Sequence, residues 1–352
     1  MSGSSRQIVF LGFPLDPDER QAVIDRKLYA GPLAWPDDPY EGVMALLRAE
    51  LPPGPWLEAG SQPVPVWLRP LPPPAVRDSL AVENFVGFLD GGGCRAAVEH
   101  LAETVTRQAL PGLPCLIGVD HCLSGGPLLA LARAFGPENL TLVILDAHLD
   151  AVPMPVMAGA IAYDIEHNPT SPYDPHDPFI FGRPDSYNAS TFLHHLLEEG
   201  ALLPQNLILA GLGDYPPKQA LAAKDQRLRD YAGVWTGLQK RGARLVTKQD
   251  LGLNPAKLAT FLRQIKTSHL YVSIDLDVGA GAATGAVRFD ERVGLTRAQV
   301  MKTAAAISQA ARRGPGQTIL AGLDVMEFNS LHADAPGAYR LAADLIKTLV
   351  FG

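Results

Sequence analysis

The chain has 352 residues, 30 Lys+Arg against 37 Asp+Glu, and a net charge of −7 with histidines neutral; 47% of it is hydrophobic and 19% charged. That length buries a sizeable core, and this hydrophobicity with so little charge excludes a disordered chain. An acidic chain without a Lys/Arg run is a poor ligand for a phosphate backbone, so no nucleic-acid partner is expected. No apolar run approaches ~18 residues, so no membrane-spanning helix is expected, and the N-terminus has no signal-peptide pattern. Three cysteines (Cys94, Cys115, Cys122) fit neither a zinc site nor a disulfide framework. The expectation is a protein of the reducing cytoplasm.

In chain order, Ile8–Leu11 reads as a strand. Residues 51–75 are proline-rich and read as an ordered surface loop. Arg95–Ala109 reads as an amphipathic helix, Cys115–Ile117 as a strand, Pro127–Phe135 as a helix and Leu142–Leu145 as a buried strand. A second proline-rich stretch, 153–185, also reads as a surface loop, because proline removes amide donors and fixes φ. Thr191–Glu199 then reads as a helix, Leu207–Ala210 and Ala243–Val246 as strands, and Pro255–Lys266 as a helix. Leu270–Ile274 is a strand. Thr296–Arg312 is a helix opened by a capping box of Thr296 and Gln299. Ile319–Leu323 is a strand and Ala335–Leu349 a closing helix.

Continuously apolar strands alternating with helices predict an α/β fold: a three-layer α-β-α sandwich with a mostly parallel central sheet, in one domain spanning 1–352. In such sheets function sits beyond the carboxyl ends of the strands. Four strand ends carry chemistry-bearing residues: Gly118-Val119-Asp120-His121, Asp146-Ala147-His148-Leu149-Asp150, Asp275-Leu276-Asp277 and Asp324-Val325-Met326-Glu327.

In extended chain, residues i, i+2 and i+4 point to one side. Asp146, His148 and Asp150 therefore converge, as do Asp275 and Asp277. Such a gathering of carboxylates with His121 and Glu327 repels itself unless cations lie within it. Oxygen donors with one imidazole per metal suit Mn²⁺ better than Zn²⁺, and no cysteine takes part. Asp120 and Asp324 read as structural, a cap or turn former.

These residues (GVDH, LDAHLD, SIDLD and DVMEFNS) resemble, in order, the four signature regions of the arginase/agmatinase (ureohydrolase) family. The resemblance runs from about Leu113 to the C-terminus. It implies a binuclear Mn²⁺ centre that hydrolyses a guanidinium C–N bond, giving urea and an amine. Carried over by position, one metal takes His121, Asp146, Asp150 and Asp275. The other takes Asp146, His148, Asp275 and Asp277, with Asp146 and Asp275 bridging. Two divalent ions lower the pKa of a shared water. Asp150 would hold that water, and Glu327 would pair with the guanidinium. The resemblance also implies a homo-oligomer.

Three departures stand out. The family's shuttle histidine falls on Asn188, which leaves that position a substrate contact; His167, His176, His194 and His195 are the substitutes at hand, the last two as exposed helix residues. The asparagine that grips free arginine is replaced by Val152. The family's proline-rich loop becomes Val278–Gly285, and Arg288, Asp290, Glu291 and Arg292 beyond it read as a solvated loop. The expected substrate is a guanidino compound other than free arginine, such as a larger one or an arginine-containing peptide. Two other readings stay open: a metal-bound but inactive member serving as a binding or regulatory subunit, and a deacetylase-type hydrolase with one zinc and a tandem His-His site.

Overall fold

The structure, a computed structural model, describes residues 6–289, 294–311 and 318–351. In chain order its elements are β1 (Ile8–Phe13), α1 (Gln21–Tyr29), α2 (Pro39–Glu50), β2 (Trp56–Ser61), α3 (Val82–Asp90), α4 (Gly93–Gln108), β3 (Leu113–Gly118), α5 (Gly125–Phe135), β4 (Leu140–Leu145), α6 (Met154–His167) and α7 (Phe192–Glu198). There follow β5 (Leu207–Leu212), α8 (Lys218–Leu221), α9 (Gln226–Lys240), β6 (Arg244–Thr247), α10 (Lys248–Leu253), α11 (Ala256–Arg263), β7 (His269–Asp275), α12 (Arg297–Ala310), β8 (Ile319–Met326) and α13 (Ala335–Ile346).

The eight strands form one sheet in the order β2-β1-β3-β8-β7-β4-β5-β6, and every pairing is parallel. Parallel strands are buried on both faces, which is why they read as unbroken apolar runs. Their side chains alternate between two cores. Leu140, Leu142 and Ile144 of β4 face one, packed with α4, α5, α7 and α9. Val143 and Leu145 face the other, packed with α2, α11, α12 and α13. The three-layer sandwich is therefore observed. The four strands that carry the candidate residues, β3, β8, β7 and β4, are adjacent at its centre.

The capping box expected at Thr296 is present: the Thr296 hydroxyl accepts from Gln299 N, and Gln299 reaches back to the Thr296 amide. That helix ends within the described residues at Ala310, and Arg312 lies outside them. The cysteines are free and buried. No helix among the described residues is long and apolar enough to cross a membrane.

The proline-rich stretches are corrected. Residues 153–185 are not loop throughout: α6 occupies Met154–His167, with its one proline, Pro155, in the first turn. There a missing amide costs nothing, because first-turn amides have no partner within the helix. Residues 51–75 hold β2, which pairs only with β1 at the sheet edge, where prolines nearby do no harm. Besides α6, helices α1, α2, α3, α8, α9 and α10 are not among the sequence expectations.

Candidate metal centre

Three of the four site strands, β3, β4 and β7, end in the same local device. An aspartate accepts, through one oxygen, the amide two residues on: Asp120 from Cys122 N at 3.0 Å, Asp146 from His148 N at 2.6 Å and Asp275 from Asp277 N at 2.7 Å. This Asx turn reverses the chain at the strand tip and leaves the second carboxylate oxygen free to point across the cleft.

For Asp146 and Asp275 the second oxygen meets the His121 ring. Nδ1 of His121 lies 2.8 Å from Asp150 Oδ2, 3.1 Å from Asp275 Oδ2 and 3.2 Å from Asp146 Oδ2. His148 Nδ1 lies 2.9 Å from Asp277 Oδ2 and 3.7 Å from Asp146 Oδ1. Two donor sets result: His121, Asp146, Asp150 and Asp275, then Asp146, His148 and Asp277. Asp146 belongs to both, whereas Asp275 groups with the first. All six expected residues are thus brought together.

The donors fit hard divalent cations. They are carboxylate oxygens with one imidazole per set and no thiolate. Two buried oxygens, Asp146 Oδ2 and Asp277 Oδ2, have only an imidazole nitrogen beside them, at 3.2 and 2.9 Å, and no well-directed hydrogen bond. A buried orphan acceptor is costly unless something positive meets it. The charges show the same need. Burial, then Asp150 and Asp277, push Asp146 well above the usual carboxylate range. Burial, then Asp277 and Asp146, do the same to Asp275. Burial alone would depress the His121 imidazole, but its carboxylate partners carry it well above the ordinary histidine value.

Behind the donors, His121 is held by a relay. Its Nε2 lies 3.0 Å from Ser273 Oγ, which in turn donates to Asp324 Oδ1 at 2.7 Å. Tyr271 OH donates to the other Asp324 oxygen. Asp324 lies inside β8 and is neither the cap nor the turn former expected; it anchors the Ser273 and Tyr271 hydroxyls behind His121. Gly211 at the tip of β5 has φ +109°, and a Cβ there would stand 2.8 Å from the Asp146 carbonyl, so only glycine lets β5 close on the Asp146 turn.

The sets open on a cleft of about 60 Å³ lined by His121, His148, Asp150, Asp275, Asp277 and Glu327, with Leu149, Val152, Met157, Ala189, Ser190, Asp214 and Phe289 completing the wall. Met157 comes from α6, so the 153–185 segment does contribute to the wall. Phe289 stands edge-on to His148 and under the Arg20 guanidinium, 3.8 Å from its ring centre.

Asp150 and Glu327 carry a further mark. Among the described residues they are the non-glycine positions with positive φ, 49° and 67°. Backbone bonds hold them there: Leu193 N donates to the Asp150 carbonyl at 3.0 Å, and Glu327 N to Val119 O at 2.9 Å. Strain of this kind, about 1–3 kcal/mol per residue, persists where surroundings over-determine it and gathers at working sites.

Two expectations fail. Arg288 is not a solvated loop residue: it is buried, and its Nη1 donates to Glu327 Oε1 at 2.9 Å and Asp120 Oδ2 at 2.8 Å. Four acidic partners far apart in sequence offset its desolvation. Asp290, Glu291 and Arg292 lie outside the described residues. Asn188 does not line the cleft. Its side chain accepts from Ser190 N at 2.9 Å and donates to Ser186 O at 3.3 Å, so it builds the turn before α7 that presents Ala189 and Ser190. The candidate shuttle histidines are also elsewhere. His167 stacks on Tyr163, His194 pairs with Asp185 at 3.2 Å, and neither they nor His176 nor His195 line the cleft.

Sequence reasoning missed Asp214. It follows β5 as the other aspartates follow their strands, and that was the available signal. Burial, then the Asp150 charge, raise its carboxyl to about 7 against the opposing pull of His148.

The arginase family model matches residues 89–352. The chain belongs to the arginase family. Solved structures agree on the fold. Arginase from Bacillus subtilis superposes with TM-score 0.61 at 15% identity, covering 99% of each chain. Proclavaminate amidino hydrolase from Streptomyces clavuligerus gives 0.56 at 19%, covering 98% of this chain and 92% of that one. A Trypanosoma cruzi formiminoglutamase variant with two Mn²⁺ gives 0.57 at 15%, covering 99% and 95%. No curated protein matches the chain significantly. At these identities the structures establish the arginase-like fold, and the substrate must be argued from the site.

Proposed function

We propose that this arginase-family chain is a binuclear manganese hydrolase that cleaves a C–N bond of a guanidino compound, releasing urea and an amine. The supporting observation is the pair of donor sets sharing Asp146 at a cleft that also holds Glu327. His121, Asp146, Asp150 and Asp275 would hold one Mn²⁺, and Asp146, His148, Asp275 and Asp277 the other. When bound, the two cations supply an activated water and polarise the substrate.

The residues do the rest. Asp150 accepts a hydrogen bond from the attacking water and fixes its line of approach. Glu327 draws the positive head of the substrate into the cleft. Val152 and Met157 give the mouth an apolar wall where free arginine would need a polar grip for its α-amino end, which favours a larger guanidino compound or an arginine side chain in a peptide. Among the described residues no histidine besides His121 and His148 lines the cleft, so the proton for the leaving amine comes from solvent or another acid. That same gap favours the alternative reading, a metal-bound inactive member acting as a binding subunit. A cytoplasmic homo-oligomer completes the proposal.

Metal analysis of Mn²⁺-loaded protein should give close to two ions per chain, and a panel of guanidino compounds should include one that releases urea. Two ions without urea from any compound would leave the binding-subunit reading; one tightly held zinc would overturn both.

A further inference from the structure

Glu327 has two carboxylate oxygens in very different states. Oε1 accepts from Arg288 Nη1 at 2.9 Å and from the His121 amide at 2.9 Å, so both its lone-pair directions are taken. Oε2 is buried and has no hydrogen-bond partner, and Glu327 lines the cleft. Arg288 cannot swing aside to release Oε1. Its Nη1 is shared with Asp120, its Nε lies 3.3 Å from Asp16 Oδ1, and its Nη2 lies 3.5 Å from Asp18 Oδ2. Those carboxylates are themselves clamped, Asp16 by Lys27 at 3.0 Å and Asp18 by Arg20. Glu327 therefore has no second oxygen with which to grip a guanidinium in a fork of two parallel bonds, because one N–H of the internal Arg288 guanidinium holds the inner oxygen.

We infer that Arg288 is a positioning residue that turns Glu327 into an end-on acceptor, so that the cleft selects a small cationic head by charge and size and not by a two-oxygen fork. The inference rests on the reading of Glu327 as the residue that meets the substrate head. Bidentate pairing is what separates a planar guanidinium from a point charge at a carboxylate. With one oxygen on offer that distinction disappears, and any amidinium-class head that turns one nitrogen toward Oε2 is served equally. The cleft volume of about 60 Å³ limits the head to a few heavy atoms.

The test is binding, so it does not depend on turnover. Calorimetric titration of Mn²⁺-loaded protein with methylguanidinium and with methylammonium, each corrected by subtracting binding to Glu327→Gln, gives the Kd ratio at this carboxylate. The ratio should lie within about threefold of unity. Arg288→Met frees Oε1 and should raise methylguanidinium affinity about tenfold, the worth of one charge-assisted hydrogen bond, leaving methylammonium nearly unchanged. Arg288→Lys keeps a donor on Oε1 and should restore the original ratio, which a merely structural role would not do. A native preference for methylguanidinium of tenfold or more, an unchanged ratio in Arg288→Met, or no binding that depends on Glu327 overturns the inference. If Arg288→Met does not fold, the native ratio and Arg288→Lys still decide. If manganese does not bind, the proposed function fails, while the ratio remains readable on the metal-free protein.

Discussion

His121 and Ser273 stand 3.0 Å apart, Nε2 to Oγ, and because the Ser273 hydroxyl donates to Asp324, the ring gives Nε2–H to the serine and keeps Nδ1 as the atom that would meet a metal ion. Ser273 passes the bond to Asp324. Partners behind a metal-ligating histidine typically account for about 10–100-fold in metal affinity. Ser273→Ala should weaken Mn²⁺ binding by that order with the fold intact, read by competition against a chelator. Unchanged affinity would show that packing alone orients the ring.

Asp146 serves both donor sets, so its removal should act oppositely with and without metal. Asp146→Asn should lose Mn²⁺ and any hydrolysis. Without metal the same change removes one of several crowded carboxylates and should leave the melting temperature equal or higher. With Mn²⁺ at about 100 times Kd, the native protein should gain about 2.7 kcal/mol and the variant almost nothing. Melting curves with manganese and with EDTA should therefore cross, and parallel curves would count against a metal site at Asp146.

The acidic cluster beneath Arg288 gives a pH dependence. Burial alone would raise Asp18, but its hydrogen bond to Arg20 and the charges of Arg288 and Arg20 bring it down to about 2 from 3.8. A depressed folded pKa stabilises above the unfolded value and is lost as pH falls through the folded one. The window is therefore pH 4 to 2, and the contribution at neutral pH is about 2 kcal/mol. Asp18→Asn should flatten the acid limb of stability between those values in thermal melts. A limb of unchanged slope would mean that other carboxylates carry it.

Much of this architecture was legible from the chain. Runs such as Leu142–Leu145 and Leu270–Ile274 are apolar on both faces, which central parallel strands require, and the strand tips pointed to the six residues that the structure gathers at one cleft. Other features were hidden for physical reasons. Pro155 reads as a helix breaker until its place in the first turn of α6 is known. Asp38-Pro39, a cap followed by a first-turn proline, was a usable signal for α2. The Arg288 environment depends on Asp16, Asp18, Asp120 and Glu327, which no local pattern relates.

The 153–185 segment is fastened by one side chain. Arg183 is half-buried, and its guanidinium bonds Glu19 at 2.6 Å and Asp90 at 2.8 Å, tying the segment to the start of α1 and the end of α3. The two ion pairs converge on that one guanidinium, so a single substitution releases both attachments of the strap. Arg183→Ala should expose residues 168–185 to limited proteolysis well before the rest of the chain unfolds, and should raise KM through the loosened Met157 wall. Cleavage no faster than in the native protein would place the anchorage elsewhere.

The strand order has a consequence for how the molecule matures. His121 and Glu327, joined by a hydrogen bond, are 206 residues apart, and the strand tips that complete the donor sets straddle the middle of the sequence. The six donors all fall within residues 121–277, but β8, the strand that seats β3 beside β7, follows them at Ile319–Met326. A nascent or truncated chain that stops short of β8 therefore has every donor but not the strand that holds His121 against Asp275, so ion uptake should report the insertion of that last strand.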